Sequence, residues 1–288
     1  MKLDRTELSI VNLHDSSDQQ YWRSRSPLER LRAIEIAVLI ENATLANRAV
    51  NIPEFVNVPY DAFLKISAPT LAYYKHFLRG KDLADRGRLD EAMAALSHAL
   101  RGNPDDSRIL NDLGIVFGRM GKHREAQRSF RHAIRSNPGK AACHENLGHA
   151  LILDKKYAEA KAAYDTALRL APTATAAWCS RGWVQQAMGN AAGAIADYTQ
   201  AITLAPHNPA PYLQRAQLLA DMGKFNEALA DSEKAIKLDP QSPSGWYVRG
   251  LVRQRQGDAA GARQDLRNYL DRAPPDDSRR ARVQRLLQ

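Results

Sequence analysis

A chain of 288 residues with 44% hydrophobic side chains has ample material for a buried core, and 41 Lys and Arg against 32 Asp and Glu give it a formal net charge of +9 at pH 7. Its two cysteines, Cys143 and Cys179, form no CxxC and no second pair, so neither a disulfide framework nor a zinc site is indicated and a reducing compartment fits. Charges stand where a signal peptide would need its apolar stretch, and no uninterrupted apolar run of about 18 residues occurs, so the expectation is a cytoplasmic protein that does not enter a membrane.

Residues 1–72 keep no internal register. Ser26 as N-cap, Pro27 at the first helical position and Glu29 at the capping-box position predict a helix over residues 27–42. Pro53, Pro59 and Pro69 punctuate the rest of the stretch. This partly helical extension is expected to pack on whatever follows as an N-terminal cap, or to lie across a groove.

From residue 73 the chain repeats itself every 34 residues, in six units: 73–106, 107–140, 141–174, 175–208, 209–242 and 243–276. The eighth position reads Gly80, Gly114, Gly148, Gly182, Ala216 and Gly250, and the twentieth is alanine throughout, from Ala92 to Ala262. Small residues at fixed positions predict two helices in close contact, with positions 8 and 20 expected to face each other. Larger side chains fill the intervals: His144, Trp178, Tyr212 and Trp246 at position 4, and Phe130, Tyr164 and Tyr198 at position 24. Positions 4, 8 and 11 share one helical face, as do 20, 24 and 27, so each unit reads as two amphipathic helices packed face to face. Glycine at position 15 supplies the turn, and proline at position 32 ends the second helix in every copy.

Trp or Tyr at 4, Gly at 8, Ala at 20, Phe or Tyr at 24, Ala at 27 and Pro at 32 together resemble the tetratricopeptide repeat, over residues 73–276. The resemblance implies an all-α fold, a right-handed superhelical solenoid of six helix-turn-helix repeats. Departures are local: Lys155 stands for the turn glycine, Tyr269 for alanine at 27, and Ser232 for the aromatic at 24. After the array, residues 277–288 place Val283, Leu286 and Leu287 at helical spacing and are read as a capping helix over the last repeat.

Positions 7 and 23 change together. Leu113 and Leu147 accompany Ser129 and Ala163, whereas Arg181, Arg215 and Arg249 accompany Asp197, Asp231 and Asp265, which predicts partly buried ion pairs inside units four to six. Arg79 faces Ala95 and has no such partner by this rule.

In proteins with this repeat, positions 2, 6, 9 and 13 of the first helix line a concave groove for peptides. Here that stripe offers Asp112, Asn146, Ser180 and Gln214 at position 6, with His149, Trp183 and Gln217 at position 9. Short amides and hydroxyls suit the backbone of an extended peptide, and Trp183 offers a flat anchor. The expected function is therefore a non-catalytic adaptor that holds a peptide segment or helix of another protein. The two-carboxylate clamp of some relatives is not reproduced, since its positions read Phe77, Lys81, Asp112, Ala142 and Asn146.

An alternative rests on Arg124, Arg128, Arg131 and Arg135, which step along the outer face of one second helix and could meet an acidic protein or phosphates. Nucleic acid is disfavoured, because groove cations alternate with carboxylates and no nucleic-acid-reading module is present. No catalytic motif occurs, neither a phosphate-cradling loop nor GxSxG nor HExxH, so no enzyme, metal or cofactor is expected. The sequence does not specify an oligomeric state.

Overall fold

The described residues fall into two compact units that divide between Asn137 and Pro138. The computed structural model describes residues 68–288. The helix predicted over 27–42, and the capping or groove-crossing role of the extension, lie outside the described residues.

In the first unit, α1 (Ala68–Asp85) pairs with α2 (Leu89–Gly102), and α3 (Ser107–Arg119) with α4 (His123–Ser136). The second unit runs α5 (Ala141–Leu153), α6 (Tyr157–Leu170), α7 (Thr175–Ala187), α8 (Ala191–Leu204), α9 (Pro209–Asp221), α10 (Phe225–Leu238), α11 (Pro243–Gln256), α12 (Ala259–Arg272) and α13 (Arg280–Leu287). The described residues are thus all-α, in tandem antiparallel hairpins. Each second helix stops two residues short of its proline, whose ring would clash with a continuing helix. The first helix differs from the others by starting at Ala68 rather than at residue 73. Pro69 does not prevent this, because an amide in the first turn needs no intrahelical acceptor.

Inside each hairpin the small residues are buried: Ala92, Ala126, Ala160, Ala194 and Ala228 are all 0% exposed. The partner of the position-8 glycine, however, is not the alanine at position 20 but the large side chain at position 24. A Cβ on Gly80 would lie 2.7 Å from Leu96, one on Gly114 2.5 Å from Phe130, and one on Gly148 2.7 Å from Tyr164. The glycine is a socket for that side chain. Where position 8 is Ala216, position 24 is the smaller Ser232, and both are buried. What the sequence presents as a lost aromatic is thus a compensated exchange of volume.

Turn glycines such as Gly121 and Gly223 adopt φ of 74° and 75°, and Lys155 adopts the same left-handed conformation at φ 58°. In the second unit two further ties join consecutive hairpins. The position-4 side chain reaches back to the carbonyl of the proline before it: His144 Nε2 to Pro138 O at 3.0 Å, Trp178 Nε1 to Pro172 O at 2.8 Å, Tyr212 Oη to Pro206 O at 3.3 Å, and Trp246 Nε1 to Pro240 O at 3.0 Å. A carbonyl only accepts, so each of the four side chains donates. That shared requirement explains how His144 substitutes for tryptophan.

The predicted ion pairs form. Arg181 grips Asp197 with two bonds of 2.8 and 2.6 Å, Arg215 grips Asp231 with two of 2.8 Å, and Arg249 grips Asp265 at 2.9 and 2.7 Å. Arg181 also donates to Asp165 and Arg215 to Thr199, both at 2.8 Å, so two of these arginines tie their own hairpin to the preceding one. Val283 of α13 is fully buried against the last hairpin, with Leu286 and Leu287 packed beside it. Arg280 donates to the carbonyls of Leu270 and Ala273 at 2.7 and 2.8 Å, satisfying the open end of α12.

Candidate functional site

Six of the seven predicted groove residues belong to the second unit and lie on consecutive first helices. Asn146 and His149 are on α5, Ser180 and Trp183 on α7, Gln214 and Gln217 on α9. Leu147, Gly148 and Leu151 turn the opposite side of α5 into the core, and Gly182 and Gln185 do so on α7, which leaves the three-residue steps 146/149 and 180/183 on the outward side. His149, Trp183 and Gln217 are exposed, and Asn146, Ser180 and Gln214 half-buried.

The row is physically connected. His149 Nε2 lies 3.1 Å from Ser180 Oγ, linking α5 to α7, and its ring meets Tyr164 edge-on at 5.6 Å. Burial of part of the ring lowers the His149 pKa below the ordinary histidine value, against an opposing pull from Glu145. Beside Ser180, burial with a contribution from Asp197 pushes the Cys179 thiol up to about 11, so the site supplies no thiolate nucleophile at neutral pH. Gln214 Oε1 is buried with no hydrogen-bond partner.

Two residues missing from the sequence reading complete this surface. The Trp183 indole, 41% exposed, meets the Tyr157 ring edge-on at 6.0 Å, and Leu153 is 58% exposed at the end of α5. A signal for Leu153 was available. Position 13 reads Asp85, Arg119, Leu153, Ala187, Asp221 and Arg255, so Leu153 is the one large apolar residue there. Tyr157 carried no such signal, because position 17 also holds Leu89 and Phe225.

The seventh groove residue, Asp112, lies on α3 of the first unit, half-buried, and accepts from Asn111 Nδ2 at 3.3 Å. The arginine stripe is on α4 of that unit. Arg124, Arg128 and Arg135 are exposed and Arg131 half-buried, opposite the buried Ala126, Phe130 and Ala133. Arg131 donates to Gln127 at 3.5 Å, and His132 of the same helix lies 2.9 Å from the Asp105 carboxylate. Among the described residues no three His, Cys, Asp or Glu are grouped to hold a metal ion, and no helix is long and apolar enough to cross a membrane.

No curated protein matches the chain. Among solved structures, PilW, described as a widely conserved type IV pilus biogenesis factor, aligns with a TM-score of 0.67 at 19% identity, over 75% of this chain and 98% of its own. PilF of Pseudomonas aeruginosa aligns with a TM-score of 0.63 at 21% identity, over 76% and 99%. YrrB, described as a TPR protein with an unusual peptide-binding site, aligns with a TM-score of 0.51 at 19% identity, over 66% and 98%. Likenesses at these identities show the shared fold. Three family models, each described as tetratricopeptide repeat, match residues 77–117, 111–175 and 155–209, residues 186–250, and residues 223–288. With that coverage and the hairpin stack in hand, the chain belongs to the tetratricopeptide repeat family.

Proposed function

We propose that this protein is a non-catalytic adaptor that holds a peptide segment or helix of a partner protein against the first helices of the repeats, centred on Asn146, His149, Ser180, Trp183, Gln214 and Gln217. The observation that carries the reading is the run of amide, hydroxyl and aromatic groups along α5, α7 and α9, in which His149, Trp183 and Gln217 are exposed and Asn146, Ser180 and Gln214 half-buried beside them. Gln214 supports it further: an unsatisfied buried carbonyl costs about 1–3 kcal/mol, a cost removed if its amide swings to meet a ligand N–H. The peptide site named for YrrB shows that this architecture accommodates peptides elsewhere. Two free cysteines suit action in the cytoplasm.

A partner captured by pull-down tests the reading through Trp183→Ala and Asn146→Ala. Loss of affinity in both supports the groove, and unchanged affinity in both removes it. A second reading uses the exposed Arg124, Arg128 and Arg135 on α4 as a contact for an acidic partner. Titrating salt separates the two, because arginine-mediated contact weakens as the Debye length shrinks to about 3 Å at 1 M, whereas an aromatic anchor persists.

A further inference from the structure

We infer that the occupant of the α5–α7 stripe is an extended, uncharged peptide segment that lodges one large apolar side chain against Leu153, Tyr157 and Trp183. This rests on the groove reading above and specifies its ligand. The first ground is charge. At positions 2, 6, 9 and 13 the third and fourth repeats carry Ala142, Asn146, His149 and Leu153, then Ala176, Ser180, Trp183 and Ala187, without one Asp, Glu, Lys or Arg. The same positions are charged on both sides in sequence, with Lys81, Asp85, Arg108, Asp112 and Arg119 before and Asp221 and Arg255 after. Asp221 is bonded to Arg255, so it offers no free counter-charge, and Glu145 stands one position outside the stripe with its field falling on His149. His149 is neutral near pH 7, since its pKa is lowered. A charged ligand side chain laid on these positions would lose water, and the exposed cations nearest in sequence, Lys155 and Lys156, stand in the turn after Leu153 and not on the stripe.

The second ground is exposed apolar surface. Leu153 at 58% and Trp183 at 41% exposure lie on consecutive first helices, and Tyr157 begins the helix that follows Leu153 and meets the Trp183 ring. Exposed alanines at 142, 176 and 187 leave depth beside them. Aromatic anchors of this kind dominate interface energies. The third ground is hydrogen bonding. Asn146, Ser180 and Gln214 follow one another on the successive first helices α5, α7 and α9, with Gln214 Oε1 unpaired, a spacing that the N–H groups of an extended backbone can meet. A helical ligand has already spent its backbone groups internally and offers no N–H to Gln214 Oε1.

The test pans a displayed library of random 12-residue peptides against the full chain, with the sequences of the enriched pool as the readout. The expected pool gains Phe, Trp, Leu or Met at one position and loses Asp, Glu, Lys and Arg around it. Its members bind Leu153→Ala at least about tenfold more weakly than the unaltered chain, and Trp183→Phe nearly as well as the unaltered chain. Leu153 is too exposed for its truncation to disturb the fold, so a loss there reports the contact. An enriched pool rich in charged residues that still depends on Asn146 and Trp183 overturns the proposed ligand and leaves the groove standing. Enriched peptides indifferent to Leu153→Ala, Trp183→Ala and Asn146→Ala overturn the groove itself. A pool no different from the input overturns the proposed ligand.

Discussion

Gly182 and Tyr198 occupy one another's space across the fourth hairpin: a Cβ on the glycine would stand 2.8 Å from Cε1 of the tyrosine, which is itself completely buried. Gly182→Ala is expected to cost about 1–3 kcal/mol, because the ring cannot withdraw from a fully packed site. Gly118→Ala is the matched control. A Cβ there meets nothing within 4 Å, so that change in α3 should stabilise by about 0.5–1 kcal/mol. Denaturant melts of the two variants should move in opposite directions.

The pair Arg215–Asp231 offers a test of how a buried charge is tolerated. The two side chains are 21% and 10% exposed, so Asp231→Ala strands a guanidinium with little water and should destabilise by about 3 kcal/mol, the low end for a buried pair. Replacing both at once, Arg215→Leu with Asp231→Ala, installs the combination that the chain itself uses at Leu147 and Ala163. The double variant should recover most of the loss. If it is as unstable as Asp231→Ala alone, the arginine acts chiefly through Thr199, to which it also donates at 2.8 Å.

Lys155 holds a left-handed turn, at φ 58°, that glycine supplies at the equivalent positions. A side chain in that region costs about 1–2 kcal/mol, and the lysine is exposed, with no buried packing to offset it. Lys155→Gly should therefore raise the melting midpoint. A fall would mean that the lysine makes a contact worth more than the strain.

Acid should weaken the fold through His149. Its folded pKa lies below the ordinary 6.5 because burial penalises the charged ring, so the unfolded chain takes the proton more readily. The stability it contributes is complete above about 6.5 and is lost as pH falls through the lowered folded value. His76 shifts in the same direction, through burial and then through His98, Arg79, Arg101 and Lys75. His149→Gln should flatten the slope of melting temperature between pH 7 and 5 while leaving the His76 share. An unchanged slope would show that His149 is not held neutral by the fold.

Much of this protein is legible because the sequence contains its own comparison. Equivalent residues sit in equivalent surroundings, so a glycine, alanine or proline returning every 34 residues reports a local requirement without any relative to consult. The hairpins, their turns and their ends follow from that, as does the exchange of leucine for arginine that is met by aspartate 16 residues on. These are contacts within one unit, where chain connectivity limits which residues can meet.

What the periodicity could not assign was which face meets which. Only the packed helices show that Gly148 receives Tyr164 rather than Ala160, that His144 takes a tryptophan's place by donating to Pro138, and that Arg181 reaches a second carboxylate at Asp165. The candidate site divides in the same way: Asn146, Ser180 and Trp183 were readable from register, while the pairing of Tyr157 with Trp183 was not. Register along the chain sets which direction a side chain leaves its own helix. The distance and rotation between neighbouring helices set what it finds there, and those are properties of the folded stack alone.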